Sequence, residues 1–299
     1  SMQRTSDWQI ALILASLNTL RVTNFPNVVR KLGERFLFLA TEDSAALQPR
    51  AVNTALRSAV LLFPQDEEVL EPFVEGVRTL FIDNTFLSHC NAVEISNFPW
   101  ILWRSRTIDS RVLISLADHM LETGFTDKCT PKMACRVLVS YTSLLGLGSL
   151  RSNTSELQTL LSDLFESLGT HLLSSKLTPA EVSGAMYAYA KASYVRDMGI
   201  FDHLAELLCT MLDECSVRQV AQSLWACGKM KLWEPEQFSD EEGSNELPYI
   251  SSAKQYVSHL TTRVKQLNAK DVSQGLWALG RLGTPDDVNT VCVLAFRAS

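Results

Sequence analysis

Val220-Ala-Gln-Ser-Leu-Trp-Ala-Cys-Gly-Lys229 is echoed by Val272-Ser-Gln-Gly-Leu-Trp-Ala-Leu-Gly-Arg281 and, more loosely, by Val182-Ser-Gly-Ala-Met-Tyr-Ala-Tyr-Ala-Lys191. Each stretch has a valine, an aromatic five positions on (Tyr187, Trp225, Trp277), an alanine after it, and a base nine positions on. Self-similarity at a spacing of this kind is the signature of a repeat architecture. Stacked repeats build long binding surfaces rather than enclosed pockets.

The same template slides upstream. Val52 begins a match through Ala59 and Leu62, and Ile95 begins one that reaches Trp100 and Arg104. Ala134 begins another with Leu138 and Tyr141, and Ile10 begins one with Leu14, Leu17 and Leu20. The anchors 10, 52, 95, 134, 182, 220 and 272 are separated by 42, 43, 39, 48, 38 and 52 residues. A unit of about 38–43 residues suits one helix pair. The two long intervals hold a Gly/Ser-rich loop, Gly146–Ser155, and an acidic segment bounded by prolines, 234–248.

Second helices are expected at Asn27–Phe38, Glu67–Phe81, Ser110–Leu121, Glu156–Leu173, Ile200–Leu212 and Ala253–Leu267. Apolar residues there recur three and four apart, as in Leu157, Leu160, Leu161, Leu164, Phe165 and Leu168, which is helical periodicity. Ser155-Glu156, Thr178-Pro-Ala-Glu181 and Asn268-Ala-Lys-Asp271 carry N-cap chemistry. Hairpin-bounded strands are absent. The expectation is therefore all-α: an α-solenoid of about seven helix-pair repeats of roughly 38–43 residues forming one domain over 1–299, with a flexible acidic insertion at 234–248.

Composition narrows the function. A 46% hydrophobic content supplies a core, and no apolar run is long enough to span a membrane. Ser1-Met2 reads as a tag remnant, so the native N-terminus is expected upstream, and the chain reads as part of a longer protein. Seven cysteines form no CxxC pair; Cys129/Cys135 and Cys209/Cys215 are six apart, a spacing no common zinc site uses. They read as free buried thiols in a reducing compartment. The five histidines are scattered; His89-Cys90 is the one tempting pair, and nothing completes a metal or nucleophile–base site. No phosphate-cradling glycine loop appears, so neither a cofactor nor an enzyme is expected.

The net charge of −6 opposes a simple nucleic-acid reading, yet the segment 234–248 alone carries six acids and no base. The remainder is formally neutral, which leaves room for a basic face. The second and ninth positions after each anchor are seven apart and share a helix face. They pair Gln222 with Lys229, Gln274 with Arg281, Asn97 with Arg104, and Gly184 with Lys191. Stacking would turn them into two rows along a groove, Gln/Asn for base edges and Lys/Arg for phosphates. The candidate groove residues are thus Asn97, Arg104, Lys191, Gln222, Lys229, Gln274 and Arg281. The plainer reading is that bases near helix C-termini answer the helix dipole. For Tyr187, Trp225 and Trp277 the plainer reading is packing between repeats, since Ala226, Gly228, Ala278 and Gly280 beside them suit close helix approach.

At Gln222–Met230 and Gln274–Leu282 the chain resembles the octotricopeptide repeat family, whose 38-residue unit carries a Leu-Trp-Ala-Leu-Ala-Lys-Leu-like stretch in its first helix. Related repeats occur in organellar proteins of the FAST-kinase and RAP-domain groups. The resemblance covers roughly 178–299 and fades upstream; Tyr187 replaces the tryptophan, and no segment resembles the C-terminal RAP domain. It implies a helical-repeat groove for single-stranded RNA in a mitochondrion or plastid, acting in transcript stability, processing, translation or ribosome assembly. The competing expectation is an armadillo- or HEAT-like scaffold for a protein partner, in an organelle or the cytoplasm.

Overall fold

The computed structural model describes residues 5–82, 85–106, 109–146, 155–232 and 247–283. Residues 234–246 of the insertion at 234–248 and most of the Gly/Ser-rich loop lie outside them. Among the described residues the protein is all-α. In chain order the helices are α1 (Asp7–Thr19), α2 (Pro26–Glu42), α3 (Pro49–Leu62), α4 (Glu67–Ile82), α5 (Thr85–Ser88), α6 (Ala92–Arg104), α7 (Ser110–Glu122), α8 (Phe125–Lys128), α9 (Pro131–Leu145), α10 (Ser155–Leu173), α11 (Pro179–Ala192), α12 (Met198–Cys209), α13 (Val217–Lys231), α14 (Pro248–Thr262) and α15 (Ala269–Leu282). Every anchor falls in a helix of its own: α1, α3, α6, α9, α11, α13 and α15. The six expected second helices are α2, α4, α7, α10, α12 and α14.

Local chemistry sets the starts. Ser6, Asn91, Thr178, Ser216 and Asn268 each close a capping box with the Gln, Glu or Asp three residues on. Proline opens α2, α3, α9, α11 and α14, where its missing N–H would have no partner anyway. The bounds of α2, α12 and α14 differ from expectation, α2 running on to Glu42. α12 stops at Cys209, and Leu212 begins a 3₁₀ turn. α14 starts at Pro248, the last residue of the acidic segment, and stops at Thr262.

The chain divides into two compact units, Ser1–Leu164 and Phe165–Ser299. In the first, α1, α3, α6 and α9 pack in succession as one layer, and α2, α4 and α7 as another. The α2–α4 contact is reciprocal: Gly33 lies under the Phe73 ring and Gly76 under the Phe36 ring, so that a Cβ on either would come within 2.8 or 2.5 Å of a ring carbon. The two rings stack at 5.7 Å. In the second unit, α11, α13 and α15 form the first-helix layer, and α12 packs on α14.

One repeat position shows the equivalence of the units at atomic detail. Tyr141 and Tyr189 each stand seven residues after an anchor, and both are fully buried. Tyr141 donates to the Leu113 carbonyl of α7 at 3.2 Å, and Tyr189 to the Phe165 carbonyl of α10 at 2.8 Å. Each first helix is thereby tied to the preceding second helix, with the buried hydroxyl satisfied.

Candidate nucleic-acid interface

The positions two, five and nine after an anchor are spaced three and four apart, so they form one straight stripe. In the second unit this stripe carries Gly184, Tyr187 and Lys191 on α11, Gln222, Trp225 and Lys229 on α13, and Gln274, Trp277 and Arg281 on α15. Arg281 is exposed and the other eight are half-buried. The aromatic rings run across the layer as a ladder. Tyr187 and Trp225 lie 5.3 Å apart between centroids at 37°, and Trp225 and Trp277 lie 6.0 Å apart at 32°. The expected packing between repeats is therefore present, and it leaves the rings partly open to solvent.

The bases sit on that ladder. Lys191 Nζ is 5.6 Å from the Tyr187 centroid, and the Arg281 guanidinium is 5.7 Å from that of Trp277. These are cation–π distances between residues one helical turn apart. Gln222 Nε2 reaches back to the Ser183 carbonyl of α11 at 3.5 Å, a long contact that leaves its amide oxygen available.

Continuing the stripe one turn towards the helix start brings in Arg218 and Lys270, two residues before their anchors and both exposed. Neither they nor the aromatics were among the groove candidates. The three-and-four spacing, extended backwards, is the signal that finds them.

Charge is uneven among the helices of this unit. α13 carries Arg218, Lys229 and Lys231 and no acid. The acids of this layer are Glu181 of α11 and Asp271 of α15, and both are closed onto their N-caps: Glu181 Oε2 accepts from the Thr178 amide at 2.8 Å, and Asp271 is buried against Asn268. In the opposite layer, α12 carries Asp202 and Glu206 and no Lys or Arg, while α14 carries Lys254 and no acid. The overall charge of −6 conceals this arrangement.

The first unit holds the two remaining candidates, both on α6. Arg104 is half-buried, with its guanidinium 6.0 Å from the Trp100 and Trp103 centroids. Asn97 departs from the expectation of a groove side chain. It is only 7% exposed; its Nδ2 donates to Asn53 Oδ1 at 3.1 Å and its Oδ1 accepts from Arg136 Nη1. Its amide thus links α3, α6 and α9 from within. The stripe also changes character on α1, where the equivalent positions include Leu12, 51% exposed.

Among the described residues, no group of three His, Cys, Asp or Glu side chains could hold a metal ion, and no helix is long and apolar enough to cross a membrane. The six described cysteines are free thiols, and Cys129, Cys135, Cys215 and Cys227 are buried. Burial pushes the Cys129 and Cys215 thiols up to about 11, which makes them poor nucleophiles at neutral pH. Compared with known proteins, the chain matches no family model and no curated protein.

Proposed function

We propose that this chain binds single-stranded RNA along the first-helix layer, with bases stacking on Tyr187, Trp225 and Trp277 and phosphates meeting Lys191, Lys229 and Arg281. The observation that carries this reading is the aromatic ladder with cations over its rings, on a layer whose acids are engaged in helix caps. Stacking platforms beside a basic track are how proteins hold unpaired strands, because every base has a π-face and every nucleotide a charge. Gln222 and Gln274 on the same stripe supply donors and acceptors for base edges, which gives the groove a means of sequence selection. The resemblance to octotricopeptide repeats adds the setting: an organellar RNA and a role in its stability, processing, translation or ribosome assembly.

The test is charge reversal at Lys229 and Arg281. Binding of a random single-stranded RNA pool is expected to weaken and its salt dependence to flatten, since each lost phosphate contact releases fewer counterions. Unchanged affinity and salt slope in both variants would contradict the reading.

A second reading, a scaffold for a protein partner, is favoured by one feature. α1 exposes Trp8, Leu12 and Ile13, and Leu20 beyond its end is 72% exposed. Apolar clusters of this kind mark protein contacts. A stoichiometric protein partner retained after nuclease treatment, with no RNA, would support it.

A further inference from the structure

The first unit carries a basic feature that the Lys/Arg row does not contain. Its helices α3, α6 and α9 hold a single acid, Glu94, which is 8% exposed and closed onto the Asn91 amide at 2.8 Å. Among the described residues neither Arg57 on α3 nor Arg136 on α9 has a carboxylate partner.

Arg136 is positioned, not loose. Its guanidinium donates to Asn97 Oδ1, Asn97 donates to Asn53 Oδ1 at 3.1 Å, and Asn53 donates to the Glu94 carbonyl at 3.2 Å. Asn53 lies one helical turn before Arg57 on α3. This chain of amides ties the Arg136 guanidinium of α9, through Asn97 of α6, to Asn53 of α3, which stands one turn before Arg57. Burial chiefly, and then the like charge of Arg57, lowers the Arg136 pKa. Two guanidiniums that feel each other's charge with no acid between them are unfavourable in the free protein, and an anion shared by both relieves them.

The neighbouring ring chooses the anion. Trp100 follows Asn97 by three residues on α6, so it shares its face; it is half-exposed, with Arg104 over it. An isolated phosphate has no use for an indole, whereas a nucleotide has. We propose that Arg57 and Arg136 clamp a phosphodiester of single-stranded RNA in the first unit, with Trp100 stacking an adjacent base. This rests on the RNA-binding reading and adds a separate contact point to it.

The experiment uses the full chain and a labelled random single-stranded RNA pool, read by fluorescence anisotropy over a salt series. Arg57→Gln and Arg136→Gln are each expected to weaken binding about tenfold and to reduce the log–log salt slope by about 1. Arg57→Lys, which keeps the charge, is expected to retain the slope. Arg57 is exposed and outside the amide chain, so Arg57→Gln leaves the fold intact, and thermal melts check Arg136→Gln. If both glutamine variants bind with the parent affinity and slope while Arg281→Glu weakens binding, the clamp alone is overturned. If the parent chain binds no RNA, or binds polyglutamate in its place through Arg57 and Arg136, the clamp falls together with the RNA-binding reading.

Discussion

Trp225 and Trp277 stand 6.0 Å apart across the α13–α15 contact, tilted by 32°, each ring half-open to solvent. The pair both joins two repeats and offers a surface. Trp225→Leu keeps an apolar side chain but removes the ring contacts to Tyr187 and Trp277. It is expected to lower stability by about 1–2 kcal/mol and RNA affinity by about fivefold or more. Chemical denaturation and anisotropy measure the two effects separately; a large stability loss with unchanged affinity would make the ladder purely structural.

Two glycines of the same repeat position are expected to respond in opposite ways. A Cβ on Gly228 would lie 2.8 Å from the Ala278 Cα of the adjacent helix, so Gly228→Ala forces α13 and α15 apart. The expected loss is about 1–2 kcal/mol, overpacking outweighing the better helix propensity of alanine. Gly280 faces open space, with nothing within 4 Å of its Cβ position. Gly280→Ala is expected to stabilise by about 0.5–1 kcal/mol. Urea midpoints of the two variants check both signs.

Asn97→Leu breaks the amide chain in the first unit. It leaves the Arg136 guanidinium and the Asn53 amide oxygen without their partners. A loss of about 2 kcal/mol is expected in denaturation, because an unsatisfied buried polar group loses more than the bond was worth.

Stability is expected to be level between about pH 6.5 and 9 and to fall on both sides. On the acid side, burial lowers the His119 pKa from 6.5, against the pull of Glu122 and Asp118. Its contribution is therefore complete above 6.5 and lost as pH falls through the folded value. On the alkaline side, burial raises Cys90 from 9.0 to about 12, and Cys129 and Cys215 to about 11. Their contribution is complete below 9.0 and lost as pH rises towards 11–12. Urea midpoints across pH test the window, and His119→Gln should flatten the acid limb. The same thiols should resist alkylation at about pH 8 until the chain is unfolded.

Much of the fold was legible because a helix stripe has a fixed period and the caps have fixed chemistry. Val220 and Val272 announce their helices, as Thr178 and Asn268 announce their starts. Periodicity does not reveal which neighbour covers a given face. Asn97 has the register of Gln222 and Gln274, yet Arg136 and Asn53 enclose it. Arg57 and Arg136 fall outside the basic row because they occupy the fifth and second positions after their anchors, not the ninth. The ends of α12 and α14 depended on a 3₁₀ turn and on Pro248, which the apolar spacing of Leu212 and Leu267 did not mark.

The most direct measurement is the affinity of a random single-stranded RNA pool for the parent chain and for the Trp225→Leu/Trp277→Leu double variant, at two salt concentrations. The account predicts that the parent binds more weakly at the higher salt, and that the double variant loses affinity at both while keeping the salt slope, since rings stack bases and cations hold phosphates. Equal binding by the parent and the double variant, or no binding by the parent at the lower salt, would contradict it.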